Sequence, residues 1–509
     1  MPLAAAVDHV FVLMLENHSF DNVFAMSGIA GITHATTADS NTFAGQTFSV
    51  SSPAPPSMSS DPGHEFRDVL EQLCGEGATQ VAWQPYPQPI NNSGFVANFA
   101  TSPSGITAKH PQLPAPAQYG DIMKCFATAE QLPVIYQLAT EFAVCDHWFA
   151  SVPGPTWPNR FFVHGASSGG WANTPSGATI SKWELSGGGF VYPSGSSIFD
   201  ALTRAGRQWH VYVDENGPLL GGIPQVAALK GVSFLLHTNP LSRFATDLQA
   251  EYPYSYTFIE PNYGDVVGGS FIGGSSQHPL DGVARGEALI KATYEAIRNS
   301  PLWNRSLLII TYDEHGGFYD SFPPGSAPAP DDGSPKDVSI NSAGFIFQQY
   351  GARVPAVVVS PLIARGSVDH TVYDHASVLA TLEKLYGLPA LTRRDASANA
   401  VLDLLSLGAP RTDCPTTLNQ PAPAELQPLA ASLVQRDVGD QPLPEVGNVH
   451  GFLATLHKAD LELAAGDPAR QRAATDRFSR IKTHADAEAY ATEAGTRVRA
   501  ARASRGARR

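Results

Sequence analysis

Little in this 509-residue chain is basic, thiol-bearing or continuously apolar. Its 4 cysteines (Cys74, Cys125, Cys145 and Cys414) show no CxxC or other metal-site spacing. An even count permits disulfides, but partly buried free thiols are the expectation. Lys and Arg (33) are outnumbered by Asp and Glu (47), for a formal net charge of −14. That balance argues against a general nucleic-acid binder and against electrostatic capture by anionic membranes. No apolar run approaches the ~20 residues that span a bilayer. The N-terminus lacks a basic region and its first apolar run stops at Glu16, so a strand is predicted there and not a signal peptide. A cytoplasmic location is the default expectation, with export left open. No internal repeat is seen. What remains, 43% hydrophobic and 16% charged residues, suits a large α/β domain with a smaller appendage or two to three domains. The 45 glycines and 41 prolines predict long loops.

Two short apolar runs end alike. Residues 10–15 lead into Glu16 and Asn17, and residues 308–312 lead into Asp313 and Glu314. Each run suits a strand buried on both faces. In an open parallel α/β sheet, ligands bind beyond the carboxyl ends of the strands. If the two strands are close, three carboxylates and an amide converge, and mutual repulsion calls for a cation between them.

Further strands are expected at 208–213, 256–260 and 354–360, with a short one near 143–149. Helices are expected after Ser19, from Phe66, over 132–142, 197–205, 283–298 and 375–386, and after Asp467. Residues 76–118 and 165–195 read as loops. The pattern from 9 to about 390 describes one α/β domain with a mostly parallel sheet flanked by helices. We divide the chain into a main α/β domain at 1–410 and a linker plus small helical C-terminal extension at 411–509. The linker is centred on 421–444, and the last thirteen residues, with six arginines and no acid, are expected to fray. Phe452, Leu456 and Leu463 share a helical face, expected to pack on the main domain.

Two positions have alternative readings. Thr156 follows Pro153-Gly154-Pro155 at a helix opening, where a hydroxyl faces the dipole's positive end and suits a phosphate; an ordinary N-cap fits equally well. His64 stands at a helix entrance, where it could meet an anion or simply be structural.

Several long motifs occur together: Glu16-Asn17-His18-Ser19-Phe20-Asp21, Asp61-Pro62-Gly63-His64, residues 132–167 containing Pro153 to Arg160, and Asp313 to Asp320. With these in view, roughly residues 8–405 resemble the phosphoesterase family of bacterial phospholipases C, plant non-specific phospholipases C and related acid phosphatases. The resemblance implies an alkaline phosphatase-like fold. It implies one divalent cation on the residues matching Glu16, Asn17, Asp313 and Glu314, with the Thr156 hydroxyl as nucleophile and further ligand. It also places His64, His278 and His237 around the phosphate. All-oxygen ligation favours Ca²⁺, Mg²⁺ or Mn²⁺ without choosing among them. Attack by Thr156 would give a phospho-threonine, with His278 or His237 protonating the departing alcohol. Asn159 and Arg160 are expected to stabilise phosphoryl charge. His315 is assigned a supporting role beside the acid pair, and His147, His164 and His375 structural ones. The substrate expected is a phosphate ester, with a phospholipid at an interface as the leading candidate. A phosphomonoesterase (acid phosphatase) with the same apparatus is the alternative, and a catalytically silent binding protein the third reading. No amphipathic anchor is evident.

Overall fold

The computed structural model describes residues 7–107, 110, 112–217, 219–422, 438–445 and 447–506. Numbered in chain order, its strands are β1 (His9–Leu15), β2 (Ser40–Phe43), β3 (Gln46–Ser49), β4 (Ala143–Cys145), β5 (Gln208–Val213), β6 (Thr238–Pro240), β7 (Tyr254–Glu260), β8 (Ser306–Tyr312), β9 (Ala356–Val359) and β10 (Ser367–Asp369). β2 and β3 form a separate hairpin, and the others one eight-stranded sheet in the order β10-β4-β9-β8-β1-β7-β5-β6. Neighbours pair in parallel except at β9, which is antiparallel to both β8 and β4. The sheet is therefore mostly parallel. Residues 313–355, which join β8 to β9, contain no helix, and an antiparallel neighbour needs no helical crossover.

β1 and β8 lie side by side at the centre in full register, His9 opposite Ser306 through Leu15 opposite Tyr312. Both strands are covered on their two faces, which is why their sequences are continuous apolar runs without alternation. Helices Pro133–Glu141, Thr156–Gly165, Ala284–Arg298 and Ala376–Tyr386 flank the sheet. Buried Glu287 on one of them accepts from the backbone amides of Val134 (2.6 Å) and Ile135 (3.0 Å). It thereby satisfies amides that the Pro133 helix start leaves without intrahelical partners.

Two segments expected as loops contain helices, Phe95–Thr101 and Gly177–Gly187. The first buries Phe95, Val96 and Phe99, and the second buries Ile180; packing here overrides weak local propensity. The C-terminal region is helical over Asn448–Leu463, Pro468–Ser479 and His484–Gly506, with Asp467 capping the second through the amides of Ala469 and Arg470. Phe452 and Leu456 are buried, and the Phe452 ring lies 4.8 Å from that of Tyr263. The arginine-rich end does not fray as expected. It is helical to Gly506, held by Arg497 to Asp460 (3.0 Å) and by Arg502 to Glu215. Residues 507–509, and 423–437 of the expected linker, lie outside the described residues. The four cysteines are free. Among the described residues no helix is long and apolar enough to cross a membrane.

Candidate active site

The carboxyl ends of β1 and β8 meet as their sequences imply. Gly316 makes the close approach possible. Its φ is +62°, and a Cβ there would lie 2.3 Å from the Asn17 carbonyl oxygen, a contact no side chain tolerates. Asn17 Nδ2 is surrounded by acceptors: Asp313 Oδ1 at 3.0 Å, Thr156 Oγ1 at 3.2 Å and Glu314 Oε1. Thr156 Oγ1 donates to Glu16 Oε1 at 3.2 Å. Glu16, Asn17, Thr156, Asp313 and Glu314 thus form one contiguous buried cluster.

Thr156 arrives from a third part of the chain. It is the first residue of helix Thr156–Gly165, whose N-cap position is occupied by Pro155 in extended conformation. Pro155 offers no side-chain cap, so Thr156 is not the N-cap, and its hydroxyl bonds within the acidic cluster. The Asn159 amide turns back to the carbonyls of Gly154 (2.9 Å), Pro155 (3.1 Å) and Val152 (3.3 Å), locking that turn.

The arrangement is short of positive charge. Arg160 donates to Asp313 Oδ2 (2.9 Å), Glu260 Oε2 (2.8 Å) and the Met14 carbonyl (3.0 Å). Against that one guanidinium stand Glu16, Glu260, Asp313 and Glu314, all fully buried. Burial, then the charge of Asp313, push the Glu16 carboxyl up to about 8. Burial also raises Asp313 to about 6 against the opposing pull of Arg160. Burial and Asp313 hold Glu314 well above the carboxylate range. Glu16 Oε2 and Asn17 Oδ1 are buried without a hydrogen-bond partner. Two orphaned oxygens beside surplus carboxylates fit a hard divalent cation. The Asn17 amino group stands where such a cation would be attracted, and turning that amide over presents Oδ1 to the same place.

Above the cluster lies a cavity of about 310 Å³, lined by Asp61, His64, Thr156, Phe271, His278 and Asn448 among others. His64 Nδ1 is 3.7 Å from Glu314 Oε1. His278 is stacked on Phe271 with ring centroids 3.7 Å apart, and its Nε2 is 3.8 Å from Asp61 Oδ1. The Leu280 amide donates to His278 Nδ1 at 3.3 Å, so Nε2 carries the proton. Burial, then the neighbouring His64, keep the His278 pKa well below the usual histidine range.

Three expected assignments change. His237 does not join the cluster. It immediately precedes β6, the far edge strand three places from β1, where its Nδ1 accepts from the Ser233 amide (2.9 Å) and its ring packs on Trp209 at 4.4 Å. Arg160 and Asn159 direct their side-chain donors to the carboxylates, to strand carbonyls and to the Pro-Gly-Pro turn, and neither lines the cavity. The supporting histidines are placed closely. His315 bonds Gln72 Oε1 at 2.7 Å, and His375 donates from Nε2 to the Asp313 carbonyl at 2.6 Å.

One participant carries no local sequence signal. Asn448 opens the C-terminal helix Asn448–Leu463, accepts from Trp157 Nε1 at 2.8 Å and donates to Glu16 Oε1 at 3.4 Å. The helix comes this near because Gly451 sits on Trp157, where a Cβ would be only 1.9 Å from the indole. His484, from the same extension, lines the cavity as well.

Comparison with known proteins adds an independent line. The model of the phosphoesterase family matches residues 7–389. The chain is 36% identical over 437 residues to non-specific phospholipase C6 of Arabidopsis thaliana, covering 81% of this chain and 75% of that protein. It is 32% identical over 440 residues to non-specific phospholipase C3 of the same plant, with 82% and 76% covered. Phospholipase C B of Mycobacterium tuberculosis is 26% identical over 445 residues, with 82% and 80% covered. Among solved structures, a protein in the alkaline phosphatase superfamily from Vibrio parahaemolyticus overlaps 53% of this chain and 65% of its own, at 12% identity and a TM-score of 0.29.

Proposed function

Because the chain belongs to the phosphoesterase family and is a hydrolase of phosphoric ester bonds, we propose that it is a phospholipase C-type phosphodiesterase with Thr156 as its nucleophile. It would release diacylglycerol and a phosphorylated headgroup. The observation that carries this reading is the position of the Thr156 hydroxyl, inside a carboxylate cluster that is short of positive charge and at the floor of a cavity walled by His64 and His278. The names of the relatives, phospholipases C of plants and of a bacterium, support the substrate class. The cavity wall supports it too, since Ile106, Val266, Val267 and Phe271 offer apolar surface beside the polar floor.

A divalent cation held by Glu16, Asn17, Thr156, Asp313 and Glu314 would lower the pKa of the threonine hydroxyl and offset charge on the phosphoryl group. The Thr156 hydroxyl passes its proton to Glu16, its oxygen attacks phosphorus, the bond to the departing alcohol breaks, and a phospho-threonine forms. Water then attacks that phosphorus, the bond to Thr156 breaks, the threonine oxygen regains its proton from Glu16, and the phosphorylated headgroup leaves. His278 Nε2–H donates to a phosphoryl oxygen, where a neutral imidazole of low pKa keeps its proton. His64, one-fifth exposed with Nδ1 turned to Glu314, has its pKa lowered by burial; an anionic phosphate ester beside it favours the protonated form, which protonates the departing alcohol and later accepts a proton from water. Arg160 holds Asp313 and Glu260 in place.

The test is turnover of phosphatidylcholine and p-nitrophenyl phosphorylcholine beside p-nitrophenyl phosphate, with added Ca²⁺, Mg²⁺ or Mn²⁺. Turnover of the diesters is expected, and turnover of the monoester alone would replace this reading with a phosphatase. Thr156→Ala should lose on the order of 10³-fold or more in kcat while keeping its fold. Full activity in that variant would remove Thr156 from the chemistry.

A further inference from the structure

The same rim of the sheet carries a second convergence of ligating side chains, separate from the first. β4 and β10 run parallel, with Cys145 opposite Asp369, and β9 alone separates β4 from β8. Just beyond the two strand ends stand Asp146 with His147, and His370. The Asp146 amide still donates to the Asp369 carbonyl at 3.1 Å, so the ladder delivers these side chains side by side. His370 Nδ1 lies 2.9 Å and 3.0 Å from the two oxygens of Asp146. His147 Nδ1 is 2.8 Å from the His370 carbonyl. A carbonyl only accepts, so Nδ1 carries the proton and the lone pair of His147 is on Nε2. That Nε2 is buried and has no hydrogen-bond partner.

We propose that Asp146, His147 and His370 form a metal site of their own, taking an imidazole-seeking divalent ion such as Zn²⁺. One ligating atom from each of the three lies within 4.8 Å of the others. Two ligands of a tetrahedral zinc ion are about 3.3 Å apart, and the His370 side chain, 54% exposed, is free to swing inward. The His147 N–H donated to a backbone carbonyl is the outer contact that fixes the tautomer of a metal-binding histidine. Asp146 is itself held, accepting from the Thr33 amide at 2.6 Å. Two nitrogens and one carboxylate favour zinc over the hard cations that suit the all-oxygen cluster.

The ion would act as a clip. Asp146, through its carbonyl, accepts from Arg353 at 3.0 Å, so the site ties the sheet edge to the buried Arg353 network and leaves the Thr156 cavity untouched. The inference does not depend on the phosphodiesterase reading.

Metal-stripped full-length protein, equilibrated with Zn²⁺ and dialysed, gives the test by elemental analysis. His370→Ala and His147→Ala should each hold one zinc fewer per chain than wild type, in the native background and in a Glu314→Gln background alike. Co²⁺-loaded wild type should show tetrahedral visible absorption that both variants lose. Phosphoesterase turnover should stay within twofold. Equal zinc content in wild type and the well-folded, solvent-exposed His370→Ala variant would overturn the site and leave an ordinary Asp146–His370 ion pair. The unchanged background result separates this failure from any failure of the Thr156 cluster.

Discussion

Two buried carboxylate clusters in this molecule differ in their partners, although burial raises a carboxyl in each, Asp320 to about 7 and Asp313 to about 6. Around Arg353, Asp21 and Asp320 are satisfied by the protein itself. Asp320 accepts from Arg353 Nε at 2.8 Å and from the Phe322 amide at 3.1 Å. Asp21 accepts from the Ala35 and Ser321 amides, each at 2.7 Å, with Arg353 at 3.1 Å. Around Thr156, Arg160 pairs with Glu260 and Asp313 but not with Glu16 or Glu314, and Glu16 Oε2 and Asn17 Oδ1 have no partner at all. Burying an uncompensated charge is far more costly than burying a paired one. The first cluster is therefore finished as folded, and the second leaves buried oxygens unpaired, which is what the proposed cation would satisfy. The contrast separates a fully paired set of acids from an under-paired one where burial alone does not, since both sets are fully buried.

The sharpest way to break that comparison is to remove one carboxylate from the incomplete cluster. Glu314→Gln should lower turnover by on the order of 10³-fold, several kcal/mol of charge stabilisation. Metal-stripped, it should melt no lower than wild type, because burial and Asp313 already favour the neutral form of that carboxyl when no cation is bound. Added Mn²⁺ or Ca²⁺ should raise the wild-type midpoint and leave the variant's nearly unmoved, as calorimetry would show. A variant that melts much lower without metal would mean that the cluster is structurally self-sufficient. Next in size is the other cluster. Arg353→Met leaves Asp21 and Asp320 buried without their cation and should cost about 3–5 kcal/mol of stability. No divalent ion should restore it; rescue by added metal would erase the distinction.

The acids at strand ends are legible from sequence because their placement is local. A doubly buried strand announces itself as an apolar run, and the residues just past its carboxyl end lie on the rim. Thr156 is only half legible, since the Pro-Gly-Pro turn and the helix opening mark its place while an ordinary N-cap fits the same residues equally well. The helices at Phe95–Thr101 and Gly177–Gly187 are not, since Gly- and Ser-rich segments become helical only through the surfaces they pack against. Asn448 is out of reach for a related reason. Nothing near it in sequence marks a site, and its contact with Glu16 depends on Gly451 meeting a tryptophan 294 positions earlier. Arg160 shows the converse error. A buried arginine beside a phosphate site reads as a phosphate ligand, and only coordinates reveal that its donors are already committed to Asp313 and Glu260.

A smaller effect tests whether the C-terminal helix belongs to the site or merely covers it. Asn448→Ala removes one weak bond to Glu16 and the acceptor for Trp157 Nε1. A positioning role predicts a fall of about tenfold in kcat with KM little changed. Loss of stability without a change in kcat would make the helix a cover only.

The smallest effect expected is at His237, and it bears on the comparison by marking where the site ends. Its ring packs on Trp209 at the far edge of the sheet, and Ser233 donates to it. Burial lowers its pKa, with Lys458 adding to the shift, so it is largely neutral near pH 7. His237→Ala should therefore cost at most about 1 kcal/mol of stability, the lost packing and one hydrogen bond. Its kcat should stay within twofold of wild type. His64→Ala, measured beside it in the same assay, should lose on the order of 10²-fold, as expected for a proton donor. If His237→Ala were the more damaging of the two, the chemistry would have to extend across three strands of the sheet, and the boundary between finished and unfinished clusters would lie elsewhere.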